Sequence, residues 1–274
     1  MRIIQVVHYF LPRHLAGTEV YTYSLSRELN RRHEVYIYCR EDGFFDEELR
    51  EVDEVYDGLP IRRVYFNLIG KKAHPLNQYF ARFKNKTIEK SFERFLKEID
   101  PDIVHIQHLL GLSAGLIPVA KKAGISVVVT LADFWFICHN VLLLRPGQKI
   151  CTGPSLGLKC VGCAELNISP TIRALLYPII ALLFVYRNVY LKHCLQQADL
   201  VISPSAFVRK KLIENGYDGD KIIVSDYGLR TDILRDFNRI PSSKIRLGYI
   251  GTILRHKGVH ILVCLLYTSP SPRD

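Results

Sequence analysis

Short runs of β-branched and apolar residues alternate with helix-like patterns along most of this 274-residue chain. Alternation of this kind predicts a parallel sheet with helices on both faces. Several runs are apolar throughout, as expected for strands that are covered on both sides. We therefore predict an α/β fold, a Rossmann-like doubly wound parallel sheet. The predicted strands are Ile3–His8, Glu34–Cys39, Ile61–Phe66, Ile103–Gln107, Ser126–Leu131, Leu200–Ser203 and Lys221–Ser225.

Helix patterns fill the gaps between these strands. Ser205 is a predicted N-cap, while Gly124 and Gly216 stand just past two helix ends. In sheets of this kind ligands bind beyond the carboxyl ends of the strands, so the loops that follow strands are the candidate site. The predicted helices are Thr18–Arg31, Gln78–Glu98, Ser113–Ala123, Thr171–Gln197 and Ser205–Asn215.

The predicted sheet belongs to a first domain, residues 1–225. It is interrupted by an insert, residues 133–170, which has little periodicity and holds four of the seven cysteines. The polar segment 226–243 follows and is predicted to be a linker.

A second domain is predicted to begin with residues 244–263, as a strand that ends in a glycine turn at Gly251. Residues 264–274 continue neither pattern, and we interpret them as a non-native tail. The second domain then has only about 20 residues, too few to bury a core. The sequence therefore predicts a truncated chain.

The net charge of +10 is unevenly distributed. Residues 41–58 hold nine acids and one base, and residues 60–97 hold ten bases and two acids. The basic stretch is either a solvated face or a patch that meets anionic lipid headgroups. No stacking-aromatic or helix-turn-helix pattern accompanies the bases, so nucleic acid is the less favoured partner.

The chain shows no secretory signal, because Met1 and Arg2 lead directly into an apolar strand without a small-residue cleavage site. The expected location is cytoplasmic, or peripheral on the inner face of the cell membrane. Residues Ala174–Tyr186 are apolar for thirteen positions, whereas a spanning helix needs about 20. They form either a buried core helix or a helix lying in the membrane interface.

The loop after the first strand contains Ala16, Gly17, Thr18 and Glu19 where a helix begins. A glycine at such a turn lets the backbone approach a ligand closely. The free N–H groups of the helix favour an anion or a sugar hydroxyl. This loop is therefore a candidate binding site.

Five segments, in this order, resemble the N-terminal domain of glycosyltransferase family 4, which has the GT-B fold. The resemblance covers about residues 2–263. Two departures are Ala16, where the family usually has glycine, and Ala132, where many relatives carry histidine. The segments are Tyr9–Glu19 taken together with Leu25–Val35, then Asp102–His108, Val128–Trp135, Val201–Ser205 and Gly248–Gly258.

This resemblance implies a retaining hexosyltransferase that moves a sugar from a nucleotide-sugar donor to a glycan or lipid-linked acceptor. It implies no cofactor for catalysis. The family's paired glutamates would lie beyond Lys257, so residues 1–274 alone are expected to be inactive. His105 and Asp133 are the candidate catalytic residues, and the candidates to compensate for Ala132 are His105, His108 and Asp133.

The remaining site residues follow from the same comparison of motifs. Those predicted to bind the acceptor are Ala16, Gly17, Thr18, Glu19 and His108. Those predicted to bind the donor are Gly251, Arg255 and Lys257. The alternative functions are a non-catalytic α/β binding module, supported by Ala132, and a nucleic-acid binder that uses the cysteine insert and the basic stretch.

Four cysteines of the insert, Cys138, Cys151, Cys160 and Cys163, are spaced by twelve, eight and two residues. Four thiolates can close a tetrahedral zinc shell, and a loop with little core gains from such a staple. Reduced cysteines, a redox pair and iron–sulfur ligation remain alternatives.

Overall fold

The computed structural model describes residues 1–43, 49–66, 75–164, 169–229, 241, 243 and 246–268. The chain divides into two compact units, Met1–Leu229 and Arg230–Asp274. Several features named above lie outside the described residues. They are Asp46, Glu47, Glu48, Lys71 and Lys72, residues 165–168 of the insert, residues 230–240 and 242 of the linker, residues 244 and 245 of the second domain's strand, and residues 269–274 of the tail.

The first unit is built on an eight-stranded sheet with the order β10-β9-β6-β5-β1-β2-β4-β3. All its pairings are parallel except that of β3 with β4. The predicted α/β class is thus confirmed, with one antiparallel strand at the edge. The strands are β1 (Arg2–Val7), β2 (Glu34–Glu41), β3 (Leu49–Tyr56), β4 (Leu59–Phe66), β5 (Ile103–Ile106), β6 (Ser126–Thr130), β9 (Leu200–Ser203) and β10 (Ile222–Val224), while β7 (Leu144–Arg145) and β8 (Lys149–Ile150) form a separate hairpin.

The order of the strands reverses between β1 and β5. From β1 the chain continues outward through β2 on one side, and it later returns to place β5 on the other side. The two strands pair with Gln5 opposite His105. A reversal of this kind opens a crevice at the carboxyl ends of the two strands, which is where ligands bind in open α/β sheets.

Helices cover both faces of the sheet. On one face Ile4, Val104 and Val127 join a large buried cluster with side chains of helices α3, α4, α7 and α8. On the other face Val7 and Ile37 join a smaller cluster that packs against Tyr23 and Leu29 of α1. The first-unit helices are α1 (Gly17–Leu29), α2 (Pro75–Ala81), α3 (Lys86–Ile99), α4 (Leu116–Lys122), α5 (Leu158–Val161), α6 (Pro170–Leu175), α7 (Tyr177–Leu195) and α8 (Ala206–Glu214).

Two predicted long helices are each divided in the structure. The predicted helix Gln78–Glu98 is broken before α3, because the Asn85 side chain accepts hydrogen bonds from the N–H groups of Thr87 and Ile88, at 3.0 and 3.2 Å. An asparagine in this role begins a new helix. The predicted helix Thr171–Gln197 likewise becomes α6 and α7, with a proline in the first turn of each.

Strand β3 was missed by the sequence analysis, although its turn carries a recognisable signal. Asp57 and Gly58 join β3 to β4 and both have positive φ, 49° and 76°. An Asp-Gly pair in this conformation is typical of a two-residue hairpin. The hairpin pairs the acidic and basic stretches, since Arg62 contacts Asp53 and Arg63 contacts Glu54.

These ion pairs correct the interpretation of the basic stretch as one surface patch. The side chains of Arg62 and Arg63 are 9% and 0% exposed. Arg94 pairs with Glu51. Part of the basic charge therefore neutralises the acidic stretch inside the fold and is not presented to a partner.

The described residues of the second unit form a 3₁₀ turn, Arg255–Lys257, and a helix, α9 (Val259–Thr268). Residues 246–250 form no strand, so the strand predicted to open this domain is absent from its described part. Helix α9 also continues into the segment that we interpreted as a tail. No helix in the described part of either unit is both long and apolar enough to cross a membrane.

Candidate functional site

Three neighbouring strands deliver polar side chains to the crevice at the strand-order reversal. His8 directly follows β1, His108 follows β5 by two residues, and Asp133 follows β6 by three. Because β1, β5 and β6 are adjacent and parallel, these residues meet at one edge of the sheet. The predicted His108 and Asp133 are brought together there, and His8 joins them although the sequence analysis did not select it.

His108 and Asp133 form a hydrogen-bonded pair. The Nε2 atom of His108 lies 3.0 Å from Oδ2 of Asp133, and Nδ1 of His108 accepts a hydrogen bond from the N–H of Leu110 at 3.3 Å. With Nδ1 accepting, the ring proton is on Nε2 and is donated to the carboxylate. Oδ1 of Asp133 accepts from the N–H of Trp135 at 2.7 Å. The carboxylate is thus held from both sides.

His8 and Glu19 form a second pair beside the first, in which the carboxylate is the more buried partner. Nε2 of His8 lies 3.3 Å from Oε1 of Glu19, and the rings of His8 and His108 are 4.4 Å apart between centroids. Burial lowers the pKa of His8 to about 2, with further lowering by His108, Arg40 and His14. His8 is therefore neutral at physiological pH, and its contact with Glu19 is polar and not an ion pair.

Two buried atoms of this second pair have no hydrogen-bond partner within the described part of the chain. They are Nδ1 of His8 and Oε2 of Glu19. An unpaired buried polar atom lowers the stability of a fold by about 1–3 kcal/mol. A hydrogen-bond partner for either atom would recover that loss. The pair therefore leaves one imidazole nitrogen and one carboxylate oxygen available for further hydrogen bonds.

The predicted loop residues Ala16–Glu19 stand at the start of α1. Ala16 is the N-cap with extended backbone (φ −123°, ψ 177°) and its side chain makes no capping bond. At Gly17 an added Cβ would meet no atom within 4 Å. The space beside Gly17 at the helix start is therefore open, while Glu19 is turned inward to His8.

His105 lies within β5 and not beyond its end. Its Nε2 is 2.8 Å from the hydroxyl of Thr130 on β6, and its Nδ1 is 3.4 Å from the amide of Gln5 on β1. The amide of Gln107 also contacts the ring. These contacts belong to the sheet, so the structure separates His105 from the pair of His108 and Asp133.

The placement of His105 makes the stability of the first unit depend on pH. Burial lowers the pKa of His105 from 6.5 to about 4, so between these values the unfolded chain binds a proton that the folded chain does not. Stability is then full above pH 6.5 and falls as the pH drops, by at most about 1.4 kcal/mol per pH unit for this residue.

We expect His105→Gln to flatten the pH dependence of the free energy of unfolding between pH 6.5 and 4 by about that slope. Urea titrations at several pH values measure it. His193→Gln, on the exposed face of α7, is the control and should leave the slope unchanged. An equal slope in the wild type and in His105→Gln would contradict the assignment.

The predicted donor residues belong to the second unit. Gly251 has φ 150°, a value that side chains rarely adopt, and it precedes the 3₁₀ turn that contains Arg255 and Lys257. Both cations are exposed. A glycine followed by exposed cations can approach and neutralise a diphosphate.

The four cysteines of the insert line one pocket, together with His139. All four are free thiols. Over the ranges that the structure describes, no three His, Cys, Asp or Glu side chains are grouped closely enough to hold a metal ion. The structure therefore brings the predicted metal residues to one place without placing their sulfur atoms around a common point.

His8 was missed because its signal is positional. It was counted as the last residue of a predicted strand, whereas β1 ends at Val7 and His8 turns into the crevice. Ala132, the departure noted in the sequence, lines a small pocket with His108 and Asp133. The neighbouring strand thus supplies an imidazole close to the position where the sequence lacks one.

Comparison with family models gives a match that covers most of this chain. A family model described as Glycosyltransferase Family 4 matches residues 15–232. An uncharacterized 42.6 kDa protein in the cps region of Klebsiella pneumoniae is 25% identical over 265 residues, covering 94% of this chain and 63% of the relative. This chain therefore spans less than two thirds of that relative's length.

A solved structure agrees on the fold. Sucrose-phosphate synthase from Thermosynechococcus elongatus is similar with a TM-score of 0.53 and 13% identity, over 98% of this chain and 60% of that protein. At this level of identity the likeness concerns the fold alone.

Proposed function

Because the chain belongs to glycosyltransferase family 4, as the match over residues 15–232 shows, we propose that the full-length protein transfers a sugar from a nucleotide-sugar donor to a polysaccharide or lipid-linked acceptor. The family resemblance drawn from the sequence motifs is confirmed by that match. The relative in a cps region favours a role in cell-surface polysaccharide synthesis. We further propose a hexosyl donor and retained anomeric configuration, as the resemblance implies.

The observation that carries this proposal is the hydrogen-bonded pair of His108 and Asp133 at the strand-order reversal. Sugar transfer develops positive charge on the sugar ring and negative charge on the departing diphosphate. A carboxylate oriented into the crevice stabilises the first charge. Each oxygen of Asp133 also keeps a free lone pair that can accept a hydrogen bond from a sugar hydroxyl.

These contacts distribute the roles differently from the sequence-based assignment. We propose that Asp133 contacts the sugar and that His108 is a positioning residue, because both ring nitrogens of His108 are already engaged. His105 takes a structural role within the sheet. We propose that the histidine that many relatives carry at position 132 is replaced in function by the pair of His108 and Asp133, which lines the same small pocket as Ala132.

The acceptor is proposed to lie against the start of α1. Gly17 leaves the helix N-terminus open, and exposed N–H groups at such a terminus bind hydroxyl or phosphate oxygens. Glu19 and His8 offer the two unpaired polar atoms. The loop thus presents both donors and acceptors of hydrogen bonds, as a polyhydroxyl ligand requires.

The donor diphosphate is proposed to be neutralised by Arg255 and Lys257, with Gly251 allowing its close approach. This chemistry needs no metal, since two cations and backbone N–H groups can carry the charge. The described residues of the second unit form a 3₁₀ turn and a helix without a sheet. We therefore expect turnover from the full-length protein and none from residues 1–274 alone.

The test is turnover of UDP-glucose, UDP-galactose and GDP-mannose by the full-length protein, measured as released nucleoside diphosphate. We expect saturable turnover with one of them, and retention of configuration in the product by proton NMR. Absence of both turnover and saturable nucleotide binding would leave the non-catalytic binding module as the better description.

A membrane-facing role is proposed for the outer face of α6 and α7. Large apolar residues recur there at spacings of three and four, which place them on one side of the helices. Leu175, Leu182 and Val189 are 78%, 66% and 62% exposed. The opposite side of α7 is buried, so α7 is a core helix on one face only. The exposed residues are Ile172, Leu175, Ile179, Leu182, Tyr186 and Val189.

Charge around this apolar stripe favours an anionic membrane surface as the partner. Helices α6 and α7 contain no acidic residue. Lys84 lies 5.3 Å from the ring centre of Tyr186 and donates to its hydroxyl. An apolar stripe with basic neighbours is typical of a helix that lies in the bilayer interface. The proposed location is the inner face of the cell membrane.

We expect Leu182→Glu to weaken partition to phosphatidylglycerol-rich vesicles by about ten- to a hundredfold, the effect of losing about 1.5–3 kcal/mol of apolar burial. Co-sedimentation measures it, with phosphatidylcholine vesicles as the uncharged comparison. Val55→Glu, at a position 70% exposed on β3, is the matched control and should bind like the wild type. Equal loss in both variants would refute the assigned stripe.

A further inference from the structure

We propose that Cys138, Cys151, Cys160 and Cys163 bind one structural zinc ion. The four thiols line one pocket of the insert, although they are separated by up to 25 positions in the sequence. A donor set made of sulfur alone selects zinc or an iron–sulfur cluster over magnesium or calcium. Among the residues that the structure describes, no carboxylate lines this pocket.

The backbone positions of these cysteines are fixed by contacts that only glycine permits. A Cβ at Gly157, one turn before Cys160, would lie 2.2 Å from the carbonyl oxygen of Ala181 in α7. A Cβ at Gly153, two residues after Cys151, would lie 2.3 Å from Oδ1 of Asn215. Both glycines have positive φ. Glycine at these two positions therefore allows the pocket to pack closely against α7 and the end of α8.

Hydrogen bonds bring the separate cysteine segments together. The N–H of Cys151 donates to the carbonyl of Leu143 at 2.7 Å, and the side chain of Asn140 donates to the carbonyl of Cys163 at 3.3 Å. The N–H of Cys163 donates to the carbonyl of Cys160 at 3.0 Å. With the backbone held, binding of one ion requires each thiol to turn toward it by rotation about its Cα–Cβ bond.

The surroundings of the pocket suit a negatively charged zinc tetrathiolate. Arg187 is 3% exposed, and no ion pair involving it is found in the described part of the chain. Its guanidinium donates to the carbonyl of Trp135 at 2.6 Å. Burial lowers the pKa of Arg187, and the Cys138 and Cys160 thiols are among the groups that act against that lowering. Four thiolates and one Zn²⁺ carry a charge of −2, of which a single buried arginine offsets one unit.

The insert has little hydrophobic core of its own to stabilise it. Its own buried cluster is small, with Cys160 and Val161 meeting Ile180 and Phe184 of α7. Between residues 141 and 156 five residues other than glycine have positive φ, which is an unfavourable conformation. A metal ion that joins four points of such a segment supplies stability that its core does not.

Asp133 lies at the start of the segment that the zinc ion would join. The N–H of Cys138 donates to the carbonyl of Phe134 at 2.7 Å, so a proposed zinc ligand lies one helical turn from the residue after Asp133.

The zinc proposal does not rest on the transferase proposal. If the protein binds no zinc but its full-length form turns over nucleotide sugars, the zinc proposal is wrong and the transferase proposal stands.

The test is elemental analysis of residues 1–274 purified without chelators from zinc-supplemented culture. We expect about one zinc per chain, and less than about 0.2 in Cys160→Ser. Cys264→Ser is the control, because Cys264 is exposed and lies in the second unit, and it should retain the wild-type metal content.

A second measurement uses the wild-type protein, so it does not depend on the folding of a variant. A chromogenic thiol reagent should modify four fewer of the seven cysteines in the zinc-loaded protein than in the metal-stripped protein. Trypsin should also cleave the stripped protein at Arg145, Lys149 or Lys159 faster, by about tenfold.

Three results would overturn the zinc proposal. They are a protein with all insert thiols free and no bound metal, a disulfide between any two of the four cysteines, and bound iron with acid-labile sulfide.

Discussion

Asp133→Asn in the full-length protein should lower kcat/KM for nucleotide-sugar turnover by about 10²–10³-fold, or about 3–4 kcal/mol. Asparagine keeps the size of the side chain but removes its negative charge, which is what stabilises the positive sugar ring. Released nucleoside diphosphate, measured over a range of donor concentrations, gives the value.

The matched control is Asp218→Asn. Asp218 is exposed in the turn before β10, where its side chain accepts a hydrogen bond from the N–H of Asp220. It is the same chemical change at a place remote from the crevice, so turnover should stay at the wild-type value. Equal activity of Asp133→Asn and Asp218→Asn would remove Asp133 from the site.

The positioning role of His108 can be separated from a merely structural one. Glutamine can donate a hydrogen bond to Asp133 in place of Nε2, whereas alanine cannot. We therefore expect His108→Gln to lose less of kcat than His108→Ala.

Arg63→Met should destabilise the first unit by about 3–5 kcal/mol, the usual effect of removing one partner of a buried ion pair. Arg63 is fully buried. It contacts Glu54 and Glu41, and its guanidinium donates to the carbonyls of Phe10 and Leu11 in the loop that follows β1. Methionine fills the space but leaves buried carboxylate and carbonyl oxygens without donors.

Urea unfolding followed by tryptophan fluorescence measures this loss, because Trp135 is the single tryptophan and lies in the first unit. Arg27→Met is the control. Arg27 pairs with Asp57 at 3.5 Å, but both side chains are about half exposed, and such pairs contribute about 0–1 kcal/mol. A loss within 1 kcal/mol of the control would show that Arg63 does not hold the loop.

The sheet was largely predictable because its strands are apolar on both faces. Strand β9 was predicted to the residue, and six others to within about two residues at either end. Strand β3 was not, since half of its residues are charged and it lies at the edge of the sheet. Strand β3 joins the sheet by pairing with β4 through the Asp57–Gly58 turn and through contacts of Arg62 and Arg63. Pairing between strands does not produce a local periodicity in the sequence.

The sequence predicted where the site lies better than it predicted which residues form it. The rule that ligands bind at the carboxyl ends of strands led to His108 and Asp133, which the structure joins. It did not separate His105 from them, because which of two histidines three residues apart leaves the strand depends on where β5 ends. His8 was likewise missed because β1 ends at Val7, one residue earlier than predicted.

The reversal between β1 and β5 also has a consequence for how the crevice is acquired during synthesis. His8 and His108 follow two strands that are paired although about a hundred residues separate them, and Asp133 is synthesised later still. Contacts between such distant segments form slowly, because a long loop must close before they gain any energy. A nascent chain therefore displays one bare edge of β1 until the ribosome has delivered β5, and chaperones that shield strand edges are expected to act in that interval.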